Sequence, residues 1–296
     1  MAEDAPPEWS GDRVARWLRR APAVEQQLAA VSDALFAVAR LEPGESVLDV
    51  GCGTGPTTLA AARAVGPGGR VIGLDISGEM LAAAAATASD AGAEDRAPIE
   101  WVEADAVTWK WDGPLHDVVI SRFGVMFFTD PPSAFANLAH ATRVGGRLAV
   151  ATWQRRDASE LFSVPFHAAI DVLRSRGIRT TSDGVDLDEV IAADAKGAYS
   201  LHDEASVTEL MRDTGWSGVA VEPRSLEFLI DGGVSSIAGA EAALDVGPTR
   251  VVMTGMPEDV IDAAKAAIRE AFSHHVDDEG RVVLGGSINL VTAGRR

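Results

Sequence analysis

The stretch Val47–Gly55, VLDVGCGTG, sets a short run of strand-forming residues directly before three glycines at alternate positions. A strand that ends in glycines and leads into an alanine-rich helical period opens a strand-turn-helix unit. Glycines in such a turn admit φ > 0 and carry no Cβ, so a ligand can lie directly against peptide groups at the carboxyl end of a sheet. Taken alone, the same turn serves equally as a tight turn with nothing bound.

Outward from this turn, short β-branched runs alternate with alanine-rich stretches, the pattern of βαβ units and a parallel sheet. The spacing predicts strands at Ser46–Val50, Arg70–Asp75, Ile99–Glu103, Asp117–Ile120 and Arg147–Thr152, with helices at Pro56–Val65, Gly78–Asp90 and Pro131–Thr142. Asp130 is an N-cap, Pro131 suits the first helical position, and Val144–Gly146 is read as the helix stop. The alternation lapses after Trp153, which places an inserted cap at about 154–204 with an apolar-periodic segment at Ala158–Arg174. Ser206 and Glu209 have capping-box spacing, and Gly215 is the following stop. A strand at Gly218–Glu222 or a little beyond, a helix from Pro257 to about His274 and a last strand near Val282–Ala293 close the chain. Residues 8–40 have a helical apolar period with Trp9 and Trp17 in the first turns, so 1–40 is expected to be an N-terminal helical flank or lid. Residues 41–296 are then one domain carrying the cap, with a separate C-terminal domain as the alternative.

The chain has 296 residues, 47% hydrophobic and 24% charged, enough for a solid globular core. Its net charge of −18 repels polyanions, which excludes nucleic acid as a partner and leaves solubility or a field for cationic and neutral small molecules. Cys52 is the only cysteine, so neither an intrachain disulfide nor a cysteine-rich zinc site is expected, and a reducing cytoplasm fits. The start MAEDAPPEWS lacks the basic and apolar regions of a secretory leader. Runs such as Leu81–Ala88 are far short of the about 20 residues that cross a bilayer, so no membrane is expected.

Three further features give the turn a ligand. Asp75 ends the second strand, about 24 residues past Gly51, where a carboxylate accepts from two ribose hydroxyls. Ser77 caps the next helix and places Met80 one turn in, where a thioether packs on a flat ring. Asp105, in EADAV at Glu103–Val107, lies just past the third strand and can accept from an adenine amino group.

With VLDVGCGTG, VIGLDIS and EML, EADA, and DVVISRFGVMFF before DPPSAFANLAHATRVGGRLAVATW, the chain from about Glu45 to Trp153 resembles the class I S-adenosylmethionine-dependent methyltransferases. It is similar to the small-molecule type that acts in ubiquinone and menaquinone biosynthesis. The resemblance implies a Rossmann-like α/β fold, a seven-stranded, mostly parallel sheet with helices on both faces and an antiparallel seventh strand. It implies that Asp49, Gly51, Gly53 and Gly55 surround the methionine portion of S-adenosylmethionine and that Asp75 holds the ribose. Ile76 and Met80 would meet the adenine faces, and Asp105 and Ala106 its edge, while Ser121 and Phe123 would face the methionine portion and the methyl group. The implied reaction is methyl transfer to an oxygen, nitrogen or carbon nucleophile of a small organic molecule; the alternative is a protein that binds the cofactor without methylating.

Nicotinamide dinucleotide competes for a glycine turn with a following acid, but its turn reads G-x-G-x-x-G, whereas this one reads G-x-G-x-G followed by Pro56. Asp130–Ser133, DPPS, is similar to an amine-gripping motif of other methyltransferases, yet it falls about ten residues late, has serine in the aromatic slot and suits a helix cap. His274 and His275 are adjacent on a helix and splay by about 100°, and Ser121, Arg122 and Phe123 stand where metal-dependent relatives keep carboxylates, so no metal site is expected. Phe123, Met126, Phe127 and Phe128 are read as walls of an apolar acceptor pocket or as ordinary core. If the acceptor needs a base, His167 on the cap is the positional candidate, against a histidine merely packed or solvated there, with His116 and His140 worse placed.

Overall fold

The computed structural model describes residues 11–192, 197–230, 236–245 and 247–296. Trp9, read above as part of the first helix, lies outside them. In chain order the elements are α1 (Asp12–Gln27), α2 (Ala29–Ala39), β1 (Ser46–Val50), α3 (Pro56–Val65), β2 (Arg70–Asp75), α4 (Gly78–Asp90), β3 (Ile99–Glu103), β4 (His116–Arg122), α5 (Pro131–Ala141) and β5 (Thr142–Trp153). They continue as α6 (Glu160–Ser175), α7 (Leu187–Ala192), α8 (Glu204–Asp213), β6 (Trp216–Leu229), α9 (Ser236–Leu244), α10 (Gly247–Met253), α11 (Glu258–Ser273) and β7 (Val283–Arg295).

The strands form one seven-stranded sheet in the order β3-β2-β1-β4-β5-β7-β6. The first five run parallel, while β7 pairs antiparallel with both β5 and β6. Every residue of β1 is buried, as a central strand covered on both faces requires. Strand order reverses beside β1, between β2 and β4, and this is where an open α/β sheet leaves a crevice beyond its carboxyl ends. The VLDVGCGTG turn leaves β1 at that point.

Local chemistry fixes the helix starts near the crevice. The Ser77 hydroxyl accepts from the Met80 N–H at 3.4 Å to open α4, and the Asp130 carboxylate accepts from the Ser133 N–H at 3.2 Å to open α5. DPPS is therefore a helix cap here. Two sequence expectations change. Val144–Gly146 lies inside β5 and not at a helix stop, because α5 ends at Ala141 and Gly145, at φ +79, bends an already extended chain. At α8 the cap is Asp203, which accepts from both the N–H and the hydroxyl of Ser206.

A large apolar cluster lies between the sheet and α2, α5 and α8, reaching Trp153, Trp216, Phe228 and Ile288. A separate cluster joins Phe166, Ile170 and Leu173 of α6 to Leu187 of α7, Val252 and Met253 of α10, and Val260 and Ala264 of α11. The helical layer beyond β5 thus draws on residues past β6 as well as on the segment 154–204. Among the described residues no helix is long and apolar enough to cross a membrane.

Candidate active site

The carboxyl ends of β1 and β4 meet through glycine. A Cβ on Gly51, which sits at φ +65, would lie 2.6 Å from the Gly124 Cα, so the close approach admits no side chain on either partner. Ser121 ties the same crossing, donating to the Val50 carbonyl at 2.6 Å and accepting from the Gly124 N–H at 3.2 Å. Ser121 is fully buried and its hydroxyl is engaged by backbone, so its side chain shapes the loop. Gly55, at φ +80, makes room for a side chain instead: a Cβ there would lie 2.6 Å from the Trp101 ring of β3. Gly53 differs: it too has positive φ, +56, yet a Cβ there would meet nothing within 4 Å. Of the three alternate glycines, two admit close protein packing and one opens onto free space.

The Gly53 N–H donates to Asp75 Oδ2 at 2.8 Å, and the Ser77 N–H donates to Asp75 Oδ1 at 2.9 Å. Burial raises the Asp75 pKa while these backbone donors oppose the rise, so the carboxylate is fixed in place and retains lone pairs for further donors. Ile76 is half-buried beside it, and Met80 is buried in the first turn of α4.

Asp49 lies under the turn with no exposed surface. Its Oδ2 accepts from the hydroxyls of Thr57 at 2.7 Å and Thr58 at 2.6 Å, both in the first turn of α3. Among the described residues its Oδ1 is buried without a hydrogen-bond partner. Burial drives its pKa up from 3.8 to about 6, against the threonine hydrogen bonds and the Arg122 charge, which lower it. A buried carboxylate with one oxygen satisfied and the other open has an acceptor left for one further donor, a water or a ligand group. Cys52, beside it, is pushed to higher pKa by burial and by the Asp49 and Asp75 charges, so it stays a thiol and offers only its backbone.

On the far side, Asp105 Oδ1 accepts from the Val107 N–H at 2.9 Å, which folds the segment after β3 into a turn. Asn137 of α5 donates to the carbonyls of Ala106 at 3.0 Å and Val107 at 2.7 Å. Asn137 has no motif signature and is legible only from its contacts. Arg122 is also new: its guanidinium forks onto Glu25 of α1 and donates to the Ser32 hydroxyl of α2 at 2.6 Å. It binds both N-terminal helices to the end of β4.

Phe123 follows at φ +67, a conformation uncommon for a bulky residue and one that marks functional loops. Its ring stacks on Trp153, with centroids 4.1 Å apart and planes 8° apart, and Trp153 in turn meets Phe162 edge-on at 4.9 Å. Met126 accepts the Trp153 N–H through its sulfur, and Phe128 packs on Phe135. His167 is not part of this grouping. It is exposed on α6, whose apolar face packs on α10 and α11, and its described ring contact is to Phe166. Among the described residues no cluster of histidine, cysteine and carboxylate side chains suits a metal ion.

Residues 47–146, which contain the turn, Asp75, Asp105 and the end of β4, match the family described as the methyltransferase domain. An uncharacterised protein of Mycobacterium tuberculosis is 34% identical over 129 residues, 44% of this chain and 44% of its own. Nocamycin O-methyltransferase of Saccharothrix syringae is 36% identical over 106 residues, 36% of this chain and 37% of its own. The alignments thus span less than half the length of these relatives. The crystal structure of the YcgJ protein of Bacillus subtilis superposes with a TM-score of 0.54 at 16% identity, covering 90% of this chain and 97% of that one, and shows the shared fold.

Proposed function

We propose that the chain, whose residues 47–146 match the methyltransferase domain family, binds S-adenosylmethionine and transfers its methyl group to an oxygen, nitrogen or carbon nucleophile of a small organic molecule. The observation that carries this reading is the pairing of an orphaned, buried Asp49 oxygen with the open Gly53 and the fixed Asp75 carboxylate, all in one turn. These residues suit a ligand with a cationic amino-acid portion and a ribose. Asp49 and the Gly51–Gly55 backbone hold the first, Asp75 the second, Ile76 and Met80 the adenine faces, and Asp105 with Ala106 its edge.

When bound, S-adenosylmethionine supplies a methyl group on a sulfonium that is already activated to leave. What remains for the chain is alignment of the acceptor and exclusion of water. We assign both to the end of β4, where Phe123, backed by its stack on Trp153, gives the loop an apolar wall. No base is assigned: His167 is open to solvent, so nothing there fixes an acceptor proton against its ring.

Titration calorimetry with S-adenosylmethionine, S-adenosylhomocysteine and NAD tests the reading. Heat with the first two supports it; no heat with either and clear binding of NAD overturns it. Incubation of methyl-labelled S-adenosylmethionine with a library of small acceptors then tests transfer. Binding without label in any acceptor would favour a cofactor-binding protein that does not methylate.

A further inference from the structure

We propose that Thr57 and Thr58 are positioning residues whose hydroxyls hold Asp49 as a fixed carboxylate beneath the glycine turn, leaving Oδ1 as the anionic acceptor for the cationic methionine portion of the cofactor. The inference rests on the S-adenosylmethionine reading and deepens it.

Adjacent residues on a helix point about 100° apart, so two consecutive threonines do not ordinarily converge on one atom. Here both hydroxyls donate to the same oxygen, Asp49 Oδ2. Four other threonines show the common alternative. Thr87, Thr142, Thr214 and Thr254 each donate back to the carbonyl four residues earlier. Thr57 and Thr58, buried at the start of α3, instead direct their protons at a carboxylate on a different element.

The arrangement serves charge more than packing. An acid kept only to fill space would be cheaper as an apolar residue, and one kept as a structural acceptor would have both oxygens bonded. Two donors on one oxygen stabilise the ionised form, aided by the partial positive charge at the N-terminus of α3. The other charged groups facing Asp49 come from neighbouring strands and the turn: Arg122 at the end of β4 favours ionisation, and Asp75 at the end of β2 opposes it, with the Cys52 thiol neutral between them. Without the threonines the carboxyl would take up a proton within the neutral range and lose its attraction for a cation.

The test uses Thr57→Val and Thr58→Val, which keep the shape and remove only the hydroxyl, with Thr57→Ser and Thr58→Ser as conservative controls. Carbon-13 NMR of the free protein reads the Asp49 carboxyl titration, and calorimetry reads S-adenosylhomocysteine affinity against pH. The Asp49 midpoint should move from about 6 toward about 7 in each valine variant and stay near its wild-type value in each serine variant. Affinity should fall about fivefold near pH 6, where a one-unit rise leaves about a tenth of Asp49 ionised instead of about half, and recover to within about threefold near pH 8.5, where Asp49 is ionised in every variant. An unmoved midpoint overturns the proposal, as does an affinity loss of equal size at both pH values. If the wild type binds neither cofactor form, the functional reading falls, while the NMR midpoint still decides whether the threonines set the Asp49 charge. If the wild type binds and the valine variants keep its affinity and pH profile, the proposal falls and the functional reading stands.

Discussion

Replacing Asp49 by asparagine should make the ligand-free protein more stable and its cofactor binding weaker. Burial lifts the Asp49 pKa from 3.8 to about 6, and at about 1.4 kcal/mol per pH unit this is a penalty of about 3 kcal/mol on the ionised form above pH 6. Asparagine removes the charge and still accepts from Thr57 and Thr58 through its carbonyl oxygen. Its NH₂ then takes the place of the unpartnered Oδ1, and an unsatisfied buried donor returns about 1–2 kcal/mol of that gain. The net expectation at pH 8 is a stabilisation of about 1–2 kcal/mol, or roughly 2–3 °C in melting temperature for a chain of this length. The pH dependence carries the sign. Below pH 6 the folded wild type binds a proton that the unfolded chain does not bind until 3.8, so wild-type stability gains from this group as pH falls, and the advantage of asparagine shrinks toward pH 4. Urea unfolding of both proteins at several pH values between about 4.5 and 8 measures this directly. A variant less stable than wild type at pH 8, or a difference constant with pH, would refute the reasoning.

His116 should produce the opposite slope. Its Nδ1 lies 3.0 Å from the Ser46 hydroxyl, its Nε2 has no hydrogen-bond partner among the described residues, and burial together with the Arg70 charge drives its pKa from 6.5 down to about 4. The unfolded chain therefore takes up a proton first as pH falls from 6.5 toward 4, which costs about 3 kcal/mol of stability over a window where Asp49 gives back a similar amount. In the Asp49→Asn protein the loss is uncovered, and adding His116→Gln should flatten it; an unchanged acid slope in the double variant contradicts the assignment. The glycines of the turn should separate stability from binding. Gly51→Ala meets the Gly124 backbone at 2.6 Å and should cost roughly 3 kcal/mol or more in urea unfolding. Gly53→Ala meets only open space and should cost about 1–2 kcal/mol for its φ, while calorimetry shows cofactor affinity reduced at least tenfold; equal stability losses at the two positions would contradict the division between packing and ligand access.

The sequence carries the front of the fold almost to the residue. β1, β2, β3, α3 and α4 have the bounds that β-branched runs and helix caps predict, because each signal is local and bounded by glycine, serine or proline. The back of the molecule is less legible. β6 runs for 14 residues where a short strand at Gly218–Glu222 is expected, since its exposed edge carries Glu222, Pro223, Arg224 and Ser225, which have no strand preference and are held by β7 alone. α7, α9 and α10 are short helices stabilised by packing on α6 and α11, so they leave no periodic pattern long enough to read. At the site, Asp49, Asp75 and Asp105 stand at strand ends and are found by position. Thr57, Thr58, Asn137 and Arg122 act through contacts that bring separate elements together, and no spacing within one segment encodes that convergence. Ser121 shows the converse: its place after the last apolar residues of β4 suggests a ligand, while its hydroxyl closes a backbone gap.

β7 is wedged between β5 and β6, although it follows both in the chain. During synthesis β5 can pair with β4 on one side only, β6 has no partner strand, and the other edge of β5 stays bare for roughly ten seconds while the intervening residues are added. In that interval the seven residues Arg147–Trp153, which end up bonded to β7, expose unpaired amides on a mostly buried, apolar strand, a template that another nascent chain could extend. The protein's vulnerability to misassembly is set by this late insertion, so a holdase acting on the unfinished chain should raise its soluble yield more than added stability in the finished sheet would.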